Sequence, residues 1–214
     1  MNKDKVVFDL DGVLLDSETN LDWLDRALCN ALDELGIPVT QENVEKLYPG
    51  ELRDFEKAVK EFSIPPDRVW KVRDKYYVKE KLEMITSGKL RPYPDVKSLH
   101  KLKDEYSLGI ISNSPAEVVD QFVRKYELNS LFQAWVGRGS ELADLANIKP
   151  ATHLFKKLKR EMGEGGYLYV GDREVDKEFA ENAGISFLYL RREGNGFKSL
   201  NDLVEHLLRS DNSP

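Results

Sequence analysis

Five short apolar runs, each followed by polar residues, constrain the fold of this chain more than any other feature. They are "VVF" from Val6, "LGII" from Leu108, "AWV" from Ala134, "YLYV" from Tyr167 and "FLYL" from Phe187. All are continuous and rich in β-branched or aromatic side chains, the pattern of strands buried on both faces. Helix-like segments separate most of them. That alternation predicts an α/β fold in which a parallel sheet carries helices on both faces.

The stretch from Glu18 to Gly88 breaks the alternation. It has no strand pattern and reads as three helices: Leu21 to Leu35 closed by Gly36, Glu51 to Phe62, and Asp67 to Met84. "GKLRPYPDV", with Gly88, Pro92 and Pro94, reads as a return linker. The expected organisation is an α/β core made of residues 1–16 and 90–214, interrupted by a helical unit at 17–89. A chain of 214 residues can bury a sizeable core as one domain, or as one core with an insertion. No internal repeat or low-complexity tract is visible.

The net charge of −6 argues against broad binding to nucleic acid or to a membrane surface, and leaves room for a small anionic substrate in a local basic pocket. The single cysteine, Cys29, excludes an internal disulfide and fits a reducing compartment. On an amphipathic helix pattern it reads as a small buried hydrophobe. No run approaches transmembrane length, and the apolar stretch near the N-terminus is too short for a signal peptide. A soluble, cytoplasmic protein is expected.

In such sheets ligands bind beyond the carboxyl ends of the strands. After "VVF" come Asp9 and Asp11, with Asp16 close behind; after "LGII" come Ser112 and Asn113; after "YLYV" comes "GDREVD" with Asp172 and Asp176. Each alone has an ordinary alternative. Asp172 fits the N-cap of a helix running to Gly184, and Asp176 fits a solvated helix position. Together they place acidic and polar groups at one sheet edge. Carboxylates so close repel unless a cation lies between them. Asp9, Asp11 and Asp172 offer the oxygen ligands that Mg²⁺ prefers.

"SPAE" from Ser114 reads as a capping box with Pro115 at the first helical position, so Ser114 is expected to be structural. Ser112 and Asn113, just before that helix, are placed to touch a phosphate-like group. In "NIKPATHLF", Pro150 fits a first helical turn, which puts Lys149 beside an N-terminus already favourable to anions; its alternative is an exposed lysine. With the cation and Lys149 in place, Asp9 could attack phosphorus and Asp11 could serve as acid and then base.

These motifs resemble the haloacid dehalogenase superfamily, specifically its helical-capped members such as phosphoglycolate phosphatases and β-phosphoglucomutases. "FDLDGVLLDS", the serine of "IISNS", the lysine of "IKP" and "GDREVD" match the four family motifs in order, over nearly the whole chain. Departures are Asp95, where relatives often carry glycine, Arg173, where serine is common, and the lead-in "VGRGSELADLANIKP". The resemblance implies a Rossmann-like core with an inserted all-helical cap. It makes Asp9 the nucleophile and Asp11 the acid/base, with Ser112 and Lys149 on the phosphoryl group. Mg²⁺ would be held by the Asp9 side chain, the Asp11 carbonyl and Asp172, with Asp176 supporting. The expected activity is Mg²⁺-dependent hydrolysis of a small phosphorylated metabolite, phosphoglycolate first. A phosphomutase on the same scaffold is the alternative. The intact Asp11 argues against a dehalogenase, and the complete charged set against a non-enzyme. Specificity is expected on the cap, where Arg53, near Gly50, is placed to meet a substrate carboxylate or hydroxyl, or else simply faces solvent.

Overall fold

The computed structural model describes residues 4–48 and 51–210. Five strands, β1 (Lys5–Phe8), β2 (Ser107–Pro115), β3 (Ala134–Arg138), β4 (Tyr167–Gly171) and β5 (Ser186–Tyr189), form one sheet in the order β3-β2-β1-β4-β5. All neighbours are parallel, with Val6 opposite Leu108 on one side and Leu168 on the other. The chain winds outward from β1 to β3, then crosses back to β4. The strand order therefore reverses at β1, and a crevice opens beyond its carboxyl end.

Alternate side chains of β1 feed opposite faces of the sheet, as the two-residue period of a strand requires. Val6 and Phe8 pack with Val118, Val119, Phe122 and Val123 of α5 (Ala116–Lys125), with Leu203 and Val204 of α8 (Leu200–Ser210), and with Leu99 of a 3₁₀ segment at Pro94–Leu102. Val7 faces the other way, toward Leu154, Phe155 and Leu158 of α6 (His153–Met162) and Phe179 of α7 (Glu174–Ala183).

Between β1 and β2 lie α1 (Asp22–Leu35), α2 (Gln41–Lys46), α3 (Leu52–Val59) and α4 (Pro66–Thr86). Helix α1 ends at Gly36 in the left-handed region (φ 68°), which glycine adopts without steric cost. Helix α2 escaped the sequence reading because six residues hold too little apolar periodicity. Its local signal is Thr40, whose side chain accepts from Asn43 N. Gly50, which the sequence places near Arg53, lies with Pro49 outside the described residues. The four helices share a core of Leu28, Leu32, Val44, Phe55, Val59 and Trp70, and Leu142 and Leu145 from the chain after β3 complete it. The two linkers of the helical segment bond to each other: Asp16 N donates to Arg91 O (2.9 Å) and Tyr93 N to Leu14 O (2.9 Å).

Two helix starts differ from the sequence reading. Strand β2 continues through Ser112, Asn113 and Ser114 to Pro115, and α5 begins only at Ala116 with no side-chain cap. The capping box assigned to Ser114 is therefore absent, because its hydroxyl is engaged by charged partners from elsewhere. Helix α6 begins at His153, so Pro150 is outside its first turn and Lys149 is not beside its N-terminus.

Asp95 has a structural task. It accepts from both terminal nitrogens of Arg192 (2.6 and 3.1 Å) and from Leu200 N (2.9 Å), tying the start of α8 to the return linker.

Phe122 is wholly buried against the β1 face of the sheet. Phe122→Ala is expected to cost about 3–5 kcal/mol. The check is a urea unfolding curve whose midpoint falls while its slope is kept.

Candidate active site

Asp9 follows β1 directly, and its N–H still donates to Val170 O of β4 (2.9 Å), which fixes its place at the sheet edge. Three residues on, Gly12 turns the chain with φ 77°. A Cβ there would lie 2.5 Å from Asp172 Oδ2, so the loop after β1 closes onto the loop after β4 as only glycine permits. Asp172 follows β4, and Asp176, in the first turn of α7, folds back beneath it. Asp176 Oδ2 accepts from the main-chain N–H of Asp172 (3.2 Å) and of Arg173 (3.1 Å). Asp172 is thus not the cap of α7; Arg173 occupies that position.

Lys149 is buried amid these acids. Its Nζ lies 2.9 Å from Asp9 Oδ1, 2.5 Å from Asp176 Oδ1 and 2.9 Å from the Tyr169 hydroxyl. Burial works against its charge, but Asp9 and Asp176 outweigh it and raise its affinity for the proton. Asn113 clamps the main chain of the same residue, accepting from Lys149 N (2.9 Å) and donating to Lys149 O (3.4 Å). The Ser112 hydroxyl, also buried, accepts from Ser114 N (3.0 Å).

One lysine does not neutralise three carboxylates. Asp9, Asp172 and Asp176 each place an oxygen within 4.8 Å of the others. Burial, opposed by Lys149 and reinforced by the neighbouring acids, pushes Asp9 up to about 8. Burial and the charge of Asp176 push Asp172 up to about 7. Asp172 Oδ1 is buried with no hydrogen-bond partner. Asp9 uses Oδ1 for both Leu10 N (2.7 Å) and Lys149, which leaves Oδ2 without a partner among the described residues. Hard oxygen donors, excess negative charge and an orphaned carboxylate oxygen fit a divalent cation such as Mg²⁺. Both oxygens of Asp176 are already occupied, so Asp9 and Asp172 are the two side chains with open coordination capacity.

The Asp11 side chain is not in this cluster. Its Oδ1 accepts from Lys81 Nζ (2.6 Å) and Ser17 Oγ (2.5 Å), and its Oδ2 from Ser114 Oγ (2.7 Å). Burial alone would raise its pKa, but the Lys81 ammonium and these bonds hold the carboxyl below its ordinary value. Any part Asp11 has in holding a cation falls to its main-chain carbonyl.

Sequence reasoning missed Lys81, Ser17, Ser114 and Tyr169. For Lys81 a signal existed: Arg73, Tyr77 and Lys81 recur every four residues, so three polar side chains occupy one face of α4, and all three line one cavity. For Ser114 the capping-box pattern concealed the role. Asp11, Asn113, Ser114 and Lys81 line a cavity of about 490 Å³ between the helical segment and the sheet edge. Lys149 and Asn113 line a second of about 830 Å³, and Arg53, exposed at its side chain, is on that wall.

A doubly wound sheet with acidic groups after its first and fourth strands and a buried lysine between them defines a class of α/β hydrolytic enzymes. The chain belongs to the haloacid dehalogenase-like hydrolases, whose family model matches residues 6–190. It is similar to a phosphoglycolate phosphatase of Cereibacter sphaeroides, with 26% identity over 209 residues covering 96% of this chain and 92% of that one. Among solved structures it resembles a HAD-superfamily hydrolase, subfamily IA, of Geobacter sulfurreducens, with TM-score 0.61, 21% identity, and 96% and 97% of the two chains covered. It also resembles CbbY of Rhodobacter sphaeroides in complex with phosphate, with TM-score 0.65, 16% identity, and 92% and 88% covered. Among the described residues, no helix is long and apolar enough to cross a membrane.

The raised acids are expected to make stability depend on pH and on added divalent cation. A carboxyl whose folded pKa is raised contributes stability below its unfolded value of 3.8, and that contribution is lost as pH rises through about 7 for Asp172 and about 8 for Asp9. Metal-free protein is therefore expected to lose stability between about pH 4 and pH 8, and Mg²⁺ to restore most at the alkaline end. A cation at 100 times its Kd adds about 2.7 kcal/mol, or about 5–10 °C in Tm. Asp172→Asn should stabilise the metal-free protein at pH 8 by an amount on the order of 1 kcal/mol and remove most of the Mg²⁺ increment. Thermal unfolding at pH 5.5 and 8, with chelator or with Mg²⁺, measures both.

Proposed function

We propose that the protein is a Mg²⁺-dependent phosphatase of small phosphate monoesters, working through an aspartyl-phosphate on Asp9. The observation that carries this reading is the Asp9 carboxylate, buried at the sheet edge with Oδ1 held 2.9 Å from Lys149 Nζ and Oδ2 left open. A carboxylate so fixed is oriented for attack, and the ammonium beside it offsets the charge of an incoming phosphate. Asp9 and Asp172 are the side chains that would hold Mg²⁺, which when bound offsets the charge between carboxylates and phosphate.

Asp9 Oδ2 attacks phosphorus, and the bond from phosphorus to the ester oxygen breaks. The leaving oxygen takes a proton from Asp11. Water then attacks the aspartyl-phosphate, Asp11 takes the proton back, and Asp9 is released with inorganic phosphate. The ion pair with Lys81 keeps Asp11 in its base form, which suits the second half-reaction. The first half-reaction requires that pair to loosen as substrate enters. Lys149 and Ser112 are the groups proposed to bind the transferring phosphoryl. Asn113 holds Lys149 in place through its main chain and also borders the 490 Å³ cavity.

Helices α1 to α4, carried on two linkers, are proposed to act as a cap that excludes water and folded macromolecules. This favours a small cytoplasmic metabolite, and likeness to phosphoglycolate phosphatases at 26–28% identity makes phosphoglycolate the first candidate. The test is inorganic phosphate release from a panel of phosphate esters with Mg²⁺ or with chelator. Release to water, without need of a bisphosphorylated sugar, separates a phosphatase from a mutase. Asp9→Asn is expected to lower kcat by about 10³-fold or more. Turnover near wild type in that variant, or full activity in excess chelator, would refute the mechanism.

A further inference from the structure

Two arginines share one carboxylate in the wall of the 490 Å³ cavity. Arg73 comes from α4 and Arg138 from the end of β3; both are more than 95% buried, as is Asp74. Arg138 takes both oxygens of Asp74: Nη1 donates to Oδ2 at 3.2 Å and Nη2 to Oδ1. Its Nη1 also donates to Gly139 O (2.8 Å), so Arg138 is satisfied. Arg73 is not. Its Nε donates to Leu47 O (3.2 Å), and its Nη1 reaches Asp74 Oδ1, an oxygen already taken by Arg138, only at 3.5 Å. Its guanidinium carbon lies 5.2 Å from the centroid of Trp70 and 4.5 Å from that of Tyr77. Those rings fix the plane of the fork but accept little of its hydrogen-bonding capacity. Burial and the charge of Arg138 pull the pKa of Arg73 down to about 10, although Tyr77 and Asp74 act the other way. The pair thus leaves one buried positive charge unmatched, in a cavity that Asp11, Asn113 and Ser114 also line.

An unmatched buried guanidinium is costly unless a ligand completes it. We infer that Arg73, backed by Arg138, binds a carboxylate carried by the substrate, so that the site takes small phosphate monoesters bearing a carboxylate. The assignment rests on the phosphatase reading above. One surplus charge matches a carboxylate, whereas a second phosphate would bring more negative charge than the pair can offset. The planar fork of arginine also suits a carboxylate in two parallel hydrogen bonds. Arg53, which the sequence offered either for this task or as a solvent-facing residue, is exposed and lines the second cavity with Lys149 and Asn113.

The experiment compares kcat/KM for phosphoglycolate, its neutral amide phosphoglycolamide, ethyl phosphate and ethane-1,2-diol bisphosphate, each with Mg²⁺. Wild type is expected to prefer the acid over the amide by about 30-fold or more, mostly through KM. In Arg73→Met that ratio should fall to within about 3-fold, and Arg73→Lys should recover part of it. The wild-type ratio needs no variant, so a misfolded Arg73→Met would still leave the inference open to refutation. Equal rates on acid and amide in wild type would overturn the subsite while leaving the phosphatase reading intact. A preference that survives in Arg73→Met would take the role from Arg73. A bisphosphate preferred to phosphoglycolate would show the subsite to be built for phosphate. Failure to release phosphate from any of the four esters would remove the phosphatase reading, and the subsite with it.

Discussion

A buried ammonium between buried carboxylates is the interaction on which the rest of this structure depends. Lys149 lies within 2.9 Å of both Asp9 and Asp176, at the point where β1 and β4 end side by side. Removing the lysine would leave Asp9 and Asp176 as uncompensated buried charges, and breaking a buried pair in that way is strongly destabilising. The surrounding chain is arranged to keep the lysine there. Asn113 grips its main chain, Tyr169 accepts from its Nζ and passes a hydrogen bond to Ile111 O (3.1 Å), and Asp176 joins it to the main chain of Asp172 and Arg173. The loops after three strands are thereby bound to a single charged atom.

Charge stays unbalanced at two places in the molecule. Beside Asp9 and Asp172 the carboxylates outnumber the lysine, and burial together with the neighbouring acids raises the pKa of both. In the wall of the 490 Å³ cavity, Arg73 and Arg138 outnumber Asp74. A phosphate ester with a carboxylate at its other end, held with a divalent cation, would relieve both.

The helical segment is tied to the sheet edge by charge as well as by apolar packing. Lys81 of α4 reaches Asp11, and Asp74 of the same helix meets Arg138 of β3. The Trp70 indole donates to Ser140 O (2.9 Å), and Leu142 and Leu145 enter the helical core. These bonds join the segment to the sheet directly over the cavity, and a segment that opens must break the Lys81–Asp11 pair. The ionisation of Asp11 and the position of the helices are for that reason linked through one ion pair.

The strands themselves, the helical interruption and the acids at the sheet edge were legible in the sequence, because each rests on local periodicity or on residue type after an apolar run. Asp9, Asp172 and Asp176 were found that way, and the structure brings their oxygens together. The capping box read at Ser114 and the helical turn read at Pro150 were local signals too, and there tertiary contacts prevailed: Ser114 donates to Asp11, 103 residues away in the chain, and α6 starts only at His153. Which lysine faces Asp11, and which arginine is left with unmatched charge in the cavity, depend on how α4 is rotated over the sheet. No window of sequence carries that rotation. The sequence determined which charges the chain must bury, and the tertiary structure decided which of them meet, since the energy of a buried charge depends on partners that only folding brings within hydrogen-bond distance.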